Sequence, residues 1–192
     1  MNYALIIFAL MLSACSTNPP TQFYMLNAEP GAEAGSTSAF NKDLVVGLGP
    51  VHIPEYLNRS QIVIGLSENQ YRFDENHRWA ERLDQNIGRT LAQFLRTRLG
   101  VDQIVKYPWP QRQPIDFQVS IDIFEFHQSA DGHSRLLAQW QIKHLEQVSL
   151  SKQFECSIAS KDEIEAIVKS QSSCLAQLGM AIESGLRQLA TH

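Results

Sequence analysis

The residue with the clearest chemistry is Cys15, a thiol that directly follows two small side chains. Residues 4–12 form an uninterrupted apolar run, which ends in Leu12-Ser13-Ala14-Cys15. A helix needs about 20 apolar residues to cross a bilayer, whereas the apolar part of a secretory signal has about 7 to 15. The run is too short for a membrane span, and it predicts a signal peptide over residues 1–14.

Residues 12–15 also resemble the lipobox of bacterial lipoproteins, in which the cysteine is acylated and the chain is then cut before it. The resemblance implies fatty acids such as palmitate on Cys15 and a lipidated tether over residues 15–21. Several acyl chains anchor a protein far more firmly than one. Ser16 stands where an Asp favours the inner membrane in similar lipoproteins, so we expect the periplasmic face of the outer membrane. The alternative is a secreted protein whose Cys15 is lost or pairs elsewhere.

The other two cysteines, Cys156 and Cys174, would lie in an oxidising compartment if the chain is exported. A disulfide between them would close a loop of about 18 residues and stabilise the fold by roughly 3 kcal/mol in the chain-entropy model. Small cysteines are also common as free thiols in protein cores. The sequence leaves both possibilities open.

Motifs typical of enzymes and metal sites are missing from the sequence. It has no HExxH, CxxC, GxSxG or Walker A pattern, and Pro50 follows the Gly47-Leu48-Gly49 segment where a phosphate loop would need a helix. We interpret these glycines as part of a strand with a bulge or close packing. We expect no catalytic residues, metal or cofactor. A periplasmic hydrolase would rest on scattered carboxylates and six dispersed histidines: His52, His77, His127, His133, His144 and His192.

Two aromatic segments are candidates for partner contacts. Tyr56, Leu57 and Arg59 fall in a polar stretch between strands, and Tyr107 and Trp109 flank a proline between a helix and a sheet. Loops that carry Tyr, Trp and Arg are often contact surfaces. The alternative is that these rings fold back and cover the edges of the sheet, since large aromatic side chains are usually well buried.

Composition excludes some classes of partner. The net charge is -4 and the isoelectric point is near 5.8, which argues against a nucleic-acid surface. The 44% of hydrophobic residues is enough for a core, and the length after the tether suits one domain over residues 22–192. Oligomeric state, including a homo-oligomer, stays open.

Alternation of apolar and polar residues predicts most of the strands. Residues 115–123 alternate with period two, Asp131-Gly132 marks a hairpin turn, and residues 136–142 and 148–158 continue an antiparallel meander. Earlier strands are predicted at 23–26 and 44–51, and residues 62–64 are expected to pair with residues 71–73.

Helical periodicity predicts two amphipathic helices. The first covers residues 80–99 and ends at Gly100. The second is expected to start at Ser160, which forms a capping-box spacing with Glu163, and residues 170–173 could interrupt it. These elements predict an α+β fold, with a mixed or antiparallel sheet and both helices packed on one face.

Three segments carry a resemblance to a known family: residues 47–63 (GLGPVHIPEYLNRSQIV), 78–83 (RWAERL) and 107–109 (YPW). They resemble the PqiC family, the auxiliary lipoproteins of ABC-type and MCE-type transport systems linked to envelope integrity. The similarity extends from residue 23 into the last helix. It implies a non-enzymatic, outer-membrane-anchored subunit of an intermembrane lipid transport system, which docks a periplasmic MCE-domain partner held at the inner membrane. The alternative is a lipoprotein that itself carries lipid in a groove between helices and sheet.

Overall fold

The computed structural model describes residues 19–27, 40–110 and 113–191, so the predicted signal peptide and Cys15 lie outside the described residues. Within these ranges, eight strands and two long helices follow one another in order. The strands are β1 (Gln22–Tyr24), β2 (Val46–His52), β3 (Gln61–Ser67), β4 (Gln70–Trp79), β5 (Ile104–Lys106), β6 (Phe117–Gln128), β7 (His133–His144) and β8 (Gln147–Ala159), and the helices are α1 (Leu83–Leu99) and α2 (Ile164–Ala190).

The antiparallel meander predicted from alternation is confirmed. β6 pairs with β7 and β7 with β8, and Ile121 lies opposite Trp140 with both side chains buried. Gly132 adopts φ 75° in the turn between β6 and β7, where a side chain would be strained. The predicted hairpin of β3 and β4 is also confirmed, with Val63 opposite Phe73.

The sheet is mixed because β6 also takes parallel partners. β7 runs along one edge of β6, while the other edge is shared by β2, which pairs with residues 117–122, and β3, which pairs at Gln128. Between Asp122 and Gln128, neither strand pairs with this second edge, and the register of β6 against β7 shifts between Ile123 and Glu125. The loop that joins β2 to β3 spans this gap.

Both helices cover one face of the sheet, as predicted. α1 ends where Gly100 takes φ 65° and donates its N–H to the carbonyl of Arg96. The apolar face of α2, which could have lined a lipid groove, is filled by core packing, because Leu178, Ile182 and Leu186 have no exposed surface.

The predicted start of α2 is wrong. Its first helical residue is Ile164, and Glu163 caps it without a side-chain hydrogen bond. Ser160 is not a cap, because its hydroxyl and its N–H both donate to the carbonyl of Gly132. The helix also continues through residues 170–173 without a break, and the hydroxyl of Ser173 donates back to the carbonyl of Lys169.

A disulfide and a buried ionic cluster attach α2 to the rest of the fold. Cys156 on β8 and Cys174 on α2 form a disulfide, with Cα atoms 5.6 Å apart. On the other side of the helix, Glu183 is buried and binds Arg98 of α1 at 2.8 Å and Arg187 at 3.0 Å. No helix within the described ranges is long and apolar enough to cross a membrane.

Candidate functional site: two aromatic loops

The loop between β2 and β3, residues 53–60, contains a short 3-10 helix at Glu55–Leu57. Backbone N–H groups of Leu57 and Asn58 donate to the carbonyls of Pro54 and Glu55. Leu57 is 1% exposed and belongs to the core. We therefore correct its assignment as a contact residue: its side chain holds the loop against the sheet and has no surface to offer a partner.

Tyr56 fills the gap along the edge of β6. Its hydroxyl donates to the carbonyl of Phe124 at 3.2 Å and lies 3.3 Å from Nδ1 of His127. Its ring stacks on Tyr71 with a centroid distance of 5.0 Å. Burial, helped by the nearby Tyr71 and Glu125, raises the pKa of Tyr56 far above its usual value. The hydroxyl therefore stays protonated and acts as a hydrogen-bond donor and acceptor, not as a base.

Arg59, at the end of this loop, lies over an aromatic ring. Its Cζ atom is 3.8 Å from the ring centroid of Phe73, which is a favourable cation–π geometry. Its Nε atom is buried and makes no hydrogen bond to any part of the chain that the structure describes. The guanidinium is thus held in one orientation without a carboxylate partner.

The segment Tyr107-Pro108-Trp109 forms the second aromatic loop. Trp109 is half-buried beside Gly47, where a Cβ atom would come within 3.4 Å of the indole. Tyr107 packs edge-on against Trp109 at 5.2 Å, and its N–H donates to the carbonyl of Leu48. The side chain of Tyr107 nevertheless stays 55% exposed. Trp109 thus supports the loop from below, and Tyr107 presents its ring to solvent.

Glycines allow this loop to approach β2. Gly49 has φ 119°, and a Cβ atom there would lie 2.6 Å from Cβ of Tyr107, so no larger residue fits. The register of β2 against β6 shifts between Leu48 and Val51. This confirms the interpretation of Gly47 and Gly49 as strand glycines with a bulge and close packing. A cleft of about 540 Å³ separates Val51 and Tyr107 from the start of α1.

The histidines are dispersed over the molecule, and the described residues include no group of three or more side chains that could bind a metal ion. His52 pairs with Asp122 at 2.8 Å and His77 with Asp74 at 2.7 Å. Neither imidazole hydrogen-bonds to a hydroxyl or thiol within the described ranges, so these pairs lack the nucleophile that a hydrolytic triad requires.

Two residues of the Tyr56 cluster were not singled out as functional from the sequence. Tyr71 sits in a hairpin and His127 at the end of a long strand, positions that carry no motif. The structure brings both rings together with Tyr56, and their T-shaped contact has a centroid distance of 5.1 Å. The rings meet at the stretch of β6 that pairs with neither β2 nor β3, and the local sequence does not reveal this gap.

Comparison with known proteins identifies the family. A relative from Escherichia coli K12, the intermembrane transport lipoprotein PqiC, is 24% identical over 186 residues, which cover 95% of this chain and 96% of the relative, and a Shigella flexneri protein of the same name matches equally. Two crystal structures share the fold. One, of an uncharacterized protein, has a TM-score of 0.72 at 22% identity and covers 88% of this chain and 99% of its own.

The second crystal structure is that of XCC0632 from Xanthomonas campestris. It has a TM-score of 0.71 at 11% identity and covers 89% of this chain and 100% of its own. The model of the family described as ABC-type transport auxiliary lipoprotein component matches residues 24–183, which include both aromatic loops. The chain therefore belongs to this family of membrane-associated lipoproteins that serve transport systems, in agreement with the resemblance to PqiC.

Proposed function

We propose that this protein is an outer-membrane lipoprotein subunit of an intermembrane lipid transport system, and that its two aromatic loops dock a periplasmic MCE-domain partner in support of envelope integrity. The observation that carries the proposal is the display of Tyr107, which is 55% exposed although its ring packs on Trp109 and its N–H is hydrogen-bonded to the carbonyl of Leu48. Aromatic residues presented without mobility lose little entropy on binding and are typical interface anchors.

Arg59 supports the same role from the other loop. The guanidinium packs over Phe73 and has no ion pair within the described ranges. It can therefore form charge-assisted hydrogen bonds to a partner with little loss of conformational entropy. The hydroxyl of Tyr56 contacts Nδ1 of His127, but its raised pKa keeps it protonated and unsuited to act as a nucleophile. Docking is thus the use that fits the chemistry of these side chains.

The docking test compares two loop variants with a matched surface control. Tyr107→Ala and Arg59→Ala should each reduce co-purification with an MCE-domain protein from solubilised membranes about tenfold or more, as expected for interface anchors. Met180→Ala, which removes a side chain on α2 with 45% exposure, should leave co-purification unchanged. Equal recovery of the partner with all three variants would exclude the loops as the docking surface.

Tyr56 needs a gentler substitution, since its ring packs on Tyr71 and its hydroxyl closes the strand gap. Tyr56→Phe keeps the stack and removes only the hydrogen bonds. Thermal unfolding of each variant, measured beside its co-purification, separates lost contact from lost folding.

The anchor is tested at Cys15, which lies outside the described residues. Cells that express the protein should incorporate labelled palmitate into it, and Cys15→Ala should release it from membranes. Separation of inner and outer membranes on a density gradient then tests the role of Ser16. Recovery of the lipidated protein in the inner-membrane fraction would contradict the proposed location.

A further inference from the structure

The first strand displays two apolar side chains that the core does not use. Phe23 is 66% exposed and Met25 is 44% exposed, whereas the residues that alternate with them, Tyr24 and Leu26, pack against the core. Phe23 is more exposed than Tyr107. Because successive side chains of an extended chain point in opposite directions, Phe23 and Met25 form a small apolar surface that faces away from the core, which we call the β1 patch.

The backbone that carries the β1 patch is held on three sides. β1 lies at an edge of the sheet and pairs with β4. Just after the strand, the N–H of Leu26 donates to Oδ1 of Asn86 on α1 at 3.3 Å. The N–H of Asn27 donates to Oγ of Ser172 on α2 at 3.2 Å. Contacts with β4, α1 and α2 therefore fix the position at which the patch is displayed.

The tether before β1 is short. Phe23 follows Cys15, the predicted lipidation site, by eight residues. An extended chain advances by at most about 3.6 Å per residue, so the Cα atoms of these two residues lie within about 29 Å of each other in any conformation. A folded domain of this length has a radius of gyration of about 15 Å and a diameter of about 40 Å. The lipid anchor proposed at Cys15 therefore keeps the β1 patch within less than one domain diameter of the bilayer.

Charges around the β1 patch are balanced. Arg78, the in-register neighbour of the patch on β4, pairs with Glu75 at 3.3 Å. A concavity of about 510 Å³ beside Met25 is lined by Glu165 and Lys169, which are one turn apart on α2. Neither pair carries a net charge that would repel an anionic lipid surface. Removal of the apolar side chains from water is then the main contribution to a membrane contact.

We propose that Phe23 and Met25 enter the interfacial layer of the membrane that holds the lipid anchor. Aromatic and other large apolar side chains are typical of segments that lie in this layer, where water and headgroups can still hydrogen-bond to the open edge of a strand. The inference rests on the lipid anchor proposed at Cys15 and adds a second point of contact. A domain held at two points cannot turn freely on its tether, so the contact gives Arg59 and Tyr107 a defined direction relative to the membrane.

The test measures the depth of nitroxide labels on the full lipidated protein in vesicles of phosphatidylethanolamine and phosphatidylglycerol. With Cys15 lipidated and Cys156 bonded to Cys174, a cysteine introduced by Phe23→Cys or Met25→Cys is the only free thiol. Electron paramagnetic resonance then measures how often each label collides with oxygen, which concentrates in lipid, and with a nickel chelate, which stays in water. The vesicles contain no other protein, so the result does not depend on docking.

A label in the bilayer collides often with oxygen and rarely with the chelate. The ratio of the two collision rates should be severalfold higher at positions 23 and 25 than for Met180→Cys. Met180 matches Met25 in exposure, at 45%, but lies eleven residues, about 16 Å, beyond Lys169 on α2. Labels at 23 and 25 that collide freely with the chelate would place the β1 patch in water, and labels shielded from both reagents would mean that protein covers it. Either result overturns the inference.

A further variant tests the native ring. Phe23→Ser, combined with the label at position 25, should lower the ratio of collision rates there, because the label loses its apolar neighbour in the bilayer. Leu66→Ser, which removes a side chain of 46% exposure from β3, should leave the ratio unchanged. Equal ratios in the two variants would show that the ring of Phe23 does not hold β1 in the membrane.

Flotation of the vesicles separates this inference from the anchor on which it rests. If the lipidated protein floats with the vesicles but its labels report water, the anchor stands and the membrane contact of the β1 patch is wrong. If the lipidated protein does not float, the anchor and the inference are both wrong.

Discussion

The helix layer and the two aromatic loops use large apolar side chains in opposite ways. Between the two helices, Phe94 packs so closely that a Cβ atom on Gly179 would come within 2.6 Å of its ring. In the loops, by contrast, the side chain of Tyr107 stays 55% exposed.

The polar contacts differ in the same way. The helix layer has a buried carboxylate shared by two arginines, whereas the loops have a cation on a ring and a hydroxyl on a strand edge. The first arrangement is costly to break and contributes nothing at the surface. The second contributes little to stability but fixes groups that a partner can reach. If the loops dock a partner as proposed, stability and recognition depend on different groups of residues, and substitutions can test that separation.

The largest loss of stability is expected at Glu183. Glu183→Ala removes the buried carboxylate that joins α1 to α2 and leaves two guanidinium groups at a desolvated site. The free energy of unfolding should fall by about 3–5 kcal/mol, measured by urea denaturation. Glu75→Ala, which breaks an exposed pair with Arg78, should cost at most about 1 kcal/mol. Equal effects of the two variants would mean that the helix layer is not the stable side.

The disulfide should rank second. Replacing both Cys156 and Cys174 with Ala frees a loop closed over 18 residues, and we expect a loss of about 3 kcal/mol in the free energy of unfolding. Since the aromatic loops lie outside this segment, the variant should still bind its partner at temperatures where it is folded. Loss of binding by the folded variant would show that the two sides are coupled.

The sequence predicts the central strands of the sheet better than the loops, and the reason is periodicity. Residues 117–123 and 136–142 repeat their burial every second position, so a local pattern is enough to place them on the covered face. The bulge after Ile123 interrupts that pattern: even-numbered positions face outward as far as Phe124, which is 46% exposed, whereas Phe126 beyond the bulge is buried. The three residues of β5 were missed because so short a strand has no measurable period.

Long-range pairing is what the sequence could not supply. The parallel pairing of β2 and β3 with the same edge of β6 joins residues 64 to 71 positions apart, and no local signal encodes it. Tyr56 and Arg59 were identified as candidates by residue type, but the rings that orient them, Tyr71 and Phe73, come from another strand. The sequence could therefore predict the loop residues of the site, but not the cluster that they form with rings from β4.

A smaller effect, dependent on pH, is expected at Asp74 on β4. Burial alone would raise its pKa, but hydrogen bonds from His77 and from the N–H of Asn76 outweigh it and hold the pKa of Asp74 below its usual value of 3.8. A carboxylate with a depressed pKa stabilises the fold above 3.8, and this stabilisation is lost as the pH falls through its folded pKa. Asp74→Asn should therefore lower the Tm at neutral pH.

The same variant gives its own control in acid. The difference in Tm between Asp74→Asn and the unsubstituted protein should shrink as the pH falls from 3.8 through the lower folded pKa of Asp74, because below that pKa both proteins carry a neutral side chain at this position. A difference that stays constant with pH would mean that Asp74 acts through packing and not through its charge.

Tyr107→Ala should have the smallest effect on stability. It is also the sharpest test of the contrast between the helix layer and the aromatic loops. The ring is 55% exposed, and alanine retains the Cβ atom that packs over Gly49, so the free energy of unfolding should change by no more than about 0.5 kcal/mol. Trp109→Ala, in contrast, removes the half-buried support beside Gly47 and should destabilise the fold measurably. If Tyr107→Ala unfolds the protein as readily as Trp109→Ala does, Tyr107 belongs to the packing of the sheet edge, and its exposure has no bearing on recognition.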